Sequence, residues 1–279
     1  MSSMTKFNFV ADLLSRQNDM LKGKDKCLYE LYDFCDNDNQ RVLIKQLLID
    51  FHEMDDNIYN LCLLEMRKEL TGKRYPLNEC MVAAMAHDHM PDGSQAVLND
   101  IKTYLCMDGW PSTNFCNRAD HCSRFYKNGI RHFFIIDDFV GSGTTVLLRK
   151  KTIEQQLNGN IFTLHFVVAA GMKEAIRDLK AQGIDITCIY TMDKCISGKG
   201  TPMEINDNLI MMASLESKLA DVINCTNLVD FHLGYKQTEA LFCRKHKNIP
   251  NNVLPIFWWK EDKQNKKRNT LFIRVQKGY

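Results

Sequence analysis

The sequence predicts an α/β fold, a parallel sheet covered by helices and preceded by a helical N-terminal flank. Three observations carry that expectation. After Pro76, short apolar runs of strand length alternate with stretches of helical spacing. Before it, apolar residues recur mostly three or four apart. One strand-like run also passes directly into a loop of glycines and hydroxyl residues that opens a helix.

In the flank, Leu43, Leu47, Phe51, Met54, Ile58, Leu61, Met66 and Leu70 keep one helical face apolar. The string CDNDNQ offers cap candidates at Asp36 and Asp38, and Thr71-Gly72-Lys73 ends the run. Residues 1–75 are therefore expected to be a helical flank packed on the main domain, residues 76–279. In that domain CMVAAMA (80–86) reads as the first strand, and a Pro-Asp-Gly-Ser turn follows at 91–94. Ala96, Val97, Ile101 and Leu105 have helical spacing. RHFFIID (131–137) suits a strand buried on both faces. A helix is expected through VLLRKKTIEQQL, a strand at FTLHFVVAA (162–170) and a helix through MKEAIRDLKAQG, ended by Gly183. IDITCIYT (184–191) is the next strand. Residues 194–238 break the rhythm and read as an inserted segment, with the loop KCISGKGTP and a helix from Asn208 to about Asn224. ALFCRKH (240–246) returns to strand-like text, and TLFIRV reads as a last short strand.

The composition is that of an ordinary globular chain, with 45% hydrophobic and 25% charged residues in 279. A net charge of +2 argues neither for nor against nucleic acid. Eleven cysteines is an odd number, and the opening MSSMTKFNFVADLLSRQ lacks the features of a signal peptide, so free thiols in a cytoplasmic protein are expected. No apolar run approaches the roughly 18 residues that span a bilayer, so no membrane partner is expected.

The chemistry concentrates in FFIIDDFVGSGTT. Glycines let a loop turn tightly and bring backbone N–H groups to a ligand. The helix start adds orphan donors and partial positive charge, and Ser142, Thr144 and Thr145 add hydroxyls. Together these suit a phosphate. Asp137 and Asp138 would repel that phosphate, but they can accept hydrogen bonds from hydroxyls one sugar length away. A Walker loop needs Lys where Thr144 stands, and a dinucleotide loop needs G-x-G-x-x-G without a preceding acidic pair. Ribose 5-phosphate is the ligand that remains, against the plainer alternative of a tight turn with a capping Asp pair and no ligand.

This segment resembles the phosphoribosyl pyrophosphate motif of type I phosphoribosyltransferases. The resemblance implies a type I phosphoribosyltransferase-like domain. In it Asp137 and Asp138 hold the ribose 2- and 3-hydroxyls, and Gly141, Ser142, Gly143, Thr144 and Thr145 hold the 5-phosphate. Thr144 departs from the Gly that the family often has. The family's pyrophosphate loop follows the first sheet strand, and Asp92, Gly93 and Ser94 match its place. A closer resemblance is to the phosphoribosyltransferase-like proteins of bacterial conflict systems, some encoded beside retron reverse transcriptases. They share a similar Asp-Asp-Phe-hydrophobic-Gly-Ser-Gly string and a distal stretch matching Pro250, Asn251, Asn252, Leu254, Pro255 and Trp258. The resemblance spans about residues 76–259.

What this implies is binding of phosphoribosyl pyrophosphate or a related nucleotide, with chemistry at ribose C1, in antiphage defence. Mg2+ would be held mainly by the ligand, not by protein side chains alone. The alternative is a catalytically silent nucleotide sensor that controls a partner, such as a reverse transcriptase, its nucleic acid or an effector. Asn251 and Asn252 suit either a base edge or a turn, and Trp258 and Trp259 suit a base stack, with at least one expected in the core.

Three other strings favour structural readings. His87-Asp88-His89 has two histidines for one strand face but no evident further ligands, so a hydrogen-bonding role is expected. Cys106, Cys116, His121, Cys122 and His132 match no common zinc spacing. KQNKKR reads as a solvated turn.

Overall fold

The structure, a computed structural model, describes residues 3–15, 19–87, 92–245 and 247–275. The chain forms two compact units, one of Asp56–Met192 and one of Met1–Asp55 with Asp193–Tyr279. The division expected at residue 75 therefore falls earlier. The last helix of the expected flank belongs to the sheet, and the remaining N-terminal residues make their unit with the C-terminal ones.

The N-terminal segment carries α1 (Ser3–Ser15), α2 (Asp25–Phe34), α3 (Asp38–Ile49) and β1 (His52–Met54). The N-cap of α3 is Asn37, whose side chain accepts from the Gln40 N–H at 3.0 Å; Asp38 lies inside the first turn and pairs with Arg41 instead. The long apolar run expected over 43–70 is broken here by β1, because its residues pair with a strand near the C-terminus.

The second unit opens with α4 (Asp56–Gly72). It continues through β2 (Cys80–Ala84), α5 (Gly93–Met107), β3 (Phe115–Cys116), α6 (Cys122–Lys127), β4 (His132–Val140), α7 (Thr144–Gln156), β5 (Thr163–Met172), α8 (Lys173–Ala181) and β6 (Ile186–Met192). Its five strands are all parallel, in the order β3-β2-β4-β5-β6. Phe133, Phe134, Ile135 and Ile136 are fully buried because both faces of β4 are covered. Burying each such side chain contributes about 1.5–3 kcal/mol. Phe133 and Ile135 pack with Val146 and Ile153 of α7 and with Ile176 and Leu179 of α8. Successive strand residues alternate faces, so Phe134 points the other way. There it meets Trp110 with ring centroids 5.7 Å apart, on the side where α5 packs on β2 and β4 and α4 on β5 and β6. Gly183, at φ 74°, closes α8: its N–H bonds Lys180 O and the Ile184 N–H bonds Leu179 O.

The C-terminal segment carries α9 (Pro202–Glu216), β7 (Val222–Ile223), β8 (Thr226–Asn227) and β9 (Phe242–Arg244). The helix expected from 208 starts six residues earlier. Thr201 and Glu204 form a capping box there, and Pro202 takes the first helical position. β9 pairs in parallel with β1, with His52 opposite Phe242 and Met54 opposite Arg244. Lys218 pairs with Asp36 at 2.8 Å, and Lys24 donates to Leu271 O at 2.6 Å, which ties the two segments of this unit together. TLFIRV is not a strand; its Phe272 N–H bonds Phe257 O at 3.1 Å outside any sheet. All eleven cysteines carry free thiols. Among the described residues no helix is long and apolar enough to cross a membrane.

Candidate functional site

The sheet order sets where a ligand can enter. β2 and β4 are neighbours, but the chain leaves β2 into α5 on one face and β4 into α7 on the other. In such sheets a crevice opens outside the carboxyl ends of the two diverging strands. β2 pairs with β4 as far as Ala84 opposite Ile136, whereas β5 accompanies β4 on to Val140. Asp137 and Asp138 are thus the first residues of β4 beyond the end of β2, at that crevice.

The two carboxylates are not equivalent. The Asp138 N–H donates to Asp137 Oδ1 at 2.8 Å. Burial holds the Asp137 carboxyl well above the usual carboxylate range, and the charges of Asp138 and Asp92 push it further the same way. Asp138 lies against the first residue of α5. A Cβ built on Gly93 would overlap the Oδ1, Oδ2 and Cγ atoms of Asp138.

Beyond Val140 the loop turns at Gly141 and Ser142 into Gly143, which stands at φ 78° in the left-handed region. Gly143 is the N-cap of α7 and supplies no capping side chain, so the first turn keeps amides for an acceptor. Ser142 Oγ and Thr144 Oγ1 lie 3.0 Å apart and half-buried, while Thr145 is exposed. Gly141 and Gly143 are buried, so the loop backbone is packed against the fold. These are the five residues expected to hold a phosphate, and the structure gathers them in one turn at a helix start.

Asp92 and Ser94 have other employment. Asp92 is the N-cap of α5 in a capping box with Gln95, and its Oδ1 accepts the Ser94 N–H at 2.8 Å and the Ser94 hydroxyl. Ser94 is fully buried, and its Oγ accepts the Ala86 N–H at 3.1 Å, which pins the end of β2 to α5. As donors to a pyrophosphate these two are already committed, and the Asp92 carboxylate would repel it. Pro91 of the expected turn, and Asp88 and His89 of the His-Asp-His string, lie outside the described residues. Arg149 escaped the sequence reading. It lies in α7 and its Nε donates to Met85 O at 2.7 Å, joining that helix to the residue after β2. Its sole signal was an Arg five residues after Thr144.

The distal candidates belong to the other unit. Trp258 is 1% exposed, its indole N–H donates to Val253 O at 2.8 Å, and it meets Trp259 edge-on. A ring so covered has no face for a base, so the expected stacking role is corrected to a core role. Asn252 is buried too, and its Nδ2 donates to Thr238 Oγ1 at 3.0 Å and to Tyr235 O at 3.3 Å. Asn251 is half-buried and its carbonyl accepts the Tyr235 N–H at 2.9 Å. The Asn252 side chain therefore serves the local turn, which corrects its base-edge alternative, and Asn251 gives its backbone carbonyl to the same turn. In the Cys/His stretch the Cys116 Sγ is 3.7 Å from His121 Nδ1, and the Cys122 thiol donates to Ala119 O at 3.0 Å. Among the described residues no three His, Cys, Asp or Glu side chains are placed to hold a metal.

No curated protein matches the sequence. Two solved structures resemble part of it. An orotate phosphoribosyltransferase from Aeropyrum pernix is 14% identical with a TM-score of 0.32, covering 48% of this chain and 70% of that one. The Helicobacter pylori xanthine-guanine-hypoxanthine phosphoribosyltransferase is 10% identical with a TM-score of 0.32, covering 51% of this chain and 86% of that one. The central strand of the parallel sheet, β4, carries the acidic pair near its end and is followed directly by the glycine loop. The family model PRTase-CE matches residues 34–274, and this chain belongs to the PRTase-CE family.

Proposed function

We propose that the chain binds the ribose 5-phosphate part of phosphoribosyl pyrophosphate, or of a related nucleotide, between Asp137–Asp138 and the loop 141–145, and acts at ribose C1. The observation that carries this is the placement of the acidic pair and the glycine loop on one strand end, at the crevice where β2 and β4 part. The loop and the first turn of α7 receive the phosphate, which fixes the sugar at a distance from the reacting carbon. Asp137 and Asp138 accept the ribose hydroxyls. The negative charge of Asp138 favours the positive charge that develops on the ring as the C1 substituent leaves. The electron pair of the breaking C1 bond departs with pyrophosphate or base, and water or an acceptor forms the new bond to C1.

Asp92 and Asp138 repel the Asp137 carboxylate, and magnesium held mainly by the ligand would relieve that repulsion. When bound, magnesium supplies charge neutralisation on the leaving pyrophosphate. The setting we propose, from the resemblance of the two motif strings, is antiphage defence, with a reverse transcriptase, its nucleic acid or an effector as partner.

One observation favours the second reading, a nucleotide sensor without turnover. The Ser94 N–H is bound by the Asp92 carboxylate, at the place where the family receives pyrophosphate. Calorimetric titration with magnesium phosphoribosyl pyrophosphate, followed by a pyrophosphate-release assay with the common bases, separates the two. Binding with release supports the enzyme and binding without release supports the sensor. Unaltered binding by Asp138→Asn would remove the site assignment itself.

A further inference from the structure

Gly93 stands at the head of α5, where glycine needs a reason. It is not among the glycines with positive φ, so the backbone does not demand it. In a helix, glycine is less favourable than alanine. The reason is on the other side of the crevice. The space that a Cβ would fill at residue 93 is filled by the Asp138 carboxylate, all three of whose terminal atoms would be overlapped. Among the glycines whose surroundings are described, no other is occupied in this way by a side chain of the acidic pair.

We infer that Gly93 is a positioning residue for Asp138: the missing side chain makes the seat in which the Asp138 carboxylate stands at the carboxyl end of β4. This deepens the proposed ribose site and rests on it for its functional meaning. The seat is built by two elements that approach from opposite sides, the start of α5 and the end of β4. α5 is in turn fixed to the end of β2 by the buried Ser94 hydroxyl, which accepts the Ala86 N–H. The carboxylate therefore takes its position from the frame of the sheet and not from its own rotamer alone. A methyl group at residue 93 leaves α5 in place and turns Asp138 out of its seat, since the end of a short side chain yields more easily than a helix anchored at its first turn.

Such a role predicts a selective defect. Gly93→Ala should weaken binding of ribose 5-phosphate by on the order of tenfold or more, the size of a lost hydrogen bond to a charged group. It should leave inorganic phosphate binding unchanged, because the loop 141–145 is untouched. In an Asp138→Ala background, where the seat is empty, Gly93→Ala should have no further effect on either ligand. A residue that merely stabilises α5 would weaken both ligands together, or act equally in both backgrounds.

A measurement without ligand reads the same point. The 13C resonance of the Asp138 carboxyl group should shift in Gly93→Ala and stay fixed in Gly159→Ala, whose glycine has no neighbour within 4 Å of an added Cβ. An unmoved Asp138 resonance in Gly93→Ala overturns the inference. Should Gly93→Ala fail to fold, the double variant Gly93→Ala/Asp138→Ala must fold as well as Asp138→Ala alone, and a double variant less stable than Asp138→Ala also overturns it. If the wild type binds no ribose 5-phosphate while the carboxyl resonance moves as expected, the ribose reading fails and the seat stands. If ribose 5-phosphate binds and Asp138→Asn abolishes it, yet Gly93→Ala binds as the wild type does, the seat fails and the ribose reading stands.

Discussion

Replacing Gly143 by alanine tests how the loop 141–145 is held, through a magnitude that the structure supplies. Gly143 has φ 78°, where an L-residue costs roughly 1–2 kcal/mol. Its added Cβ would also stand 3.2 Å from the Cδ1 and 3.3 Å from the Cγ of Leu179, which is 2% exposed and cannot retreat into solvent. Overpacking of this kind costs about 1–3 kcal/mol, so the total is roughly 2–5 kcal/mol. Gly159 is the control, with the same φ of 78° and nothing within 4 Å of an added Cβ. Gly159→Ala should lose the backbone share alone. Urea unfolding of both variants, read at constant slope, measures the difference. Equal losses, or a Gly143→Ala protein within about 0.5 kcal/mol of wild type, would refute the packing of the loop 141–145 against Leu179 of α8.

Three further outcomes follow from the same geometry. Burial, with the neighbouring Asp138 and Asp92 charges, raises the Asp137 carboxyl, so its protonated form is favoured in the folded state and stability declines as pH rises above the usual carboxylate range. Asp137→Asn should flatten that slope and gain about 0.5–2 kcal/mol at pH 7 while losing ligand affinity; thermal unfolding across pH 4–8 checks it. Burial lowers His165 despite its 2.6 Å hydrogen bond to Asp185, and burial likewise lowers His132, stacked on Tyr75 with ring centroids 3.7 Å apart. Both imidazoles must charge on unfolding below their ordinary value of 6.5, so stability present above that value is lost as pH falls through it; His165→Gln should reduce the acid sensitivity seen by circular dichroism between pH 7 and 5. Trp258→Phe leaves Val253 O without the indole N–H and removes buried volume, at a cost of about 2–4 kcal/mol in urea unfolding.

Much of the sheet was legible because its strands are buried on both faces. FFII and FVVAA are apolar without alternation, and the glycines and aspartates around them mark where each ends. The acidic pair and the loop were legible for a different reason: the proposed site is made of backbone and short side chains contiguous in sequence. What escaped is what depends on distant pairing. β1 has three residues and reads as part of a helix until β9, which lies near the other end of the chain, pairs with it. The unit that joins the two ends of the chain left no local trace for the same reason. Trp258 and Asn252 sit in a motif-like string, but their hydrogen bonds to Val253, Thr238 and Tyr235 show that the string encodes a turn and a core. Asp92 and Ser94 illustrate an ambiguity built into the chemistry, since an acidic residue two before a serine caps a helix as readily as it borders a ligand loop.

In the proposed site one strand end holds both halves of a ribose 5-phosphate. Amide resonances of isotopically labelled protein titrated with ribose 5-phosphate test it most directly. Saturable shifts should concentrate at residues 137–145, with the inorganic phosphate subset confined to 141–145 and the remainder lost in Asp138→Asn. Saturable shifts centred elsewhere, or the same pattern in wild type and Asp138→Asn, would contradict it.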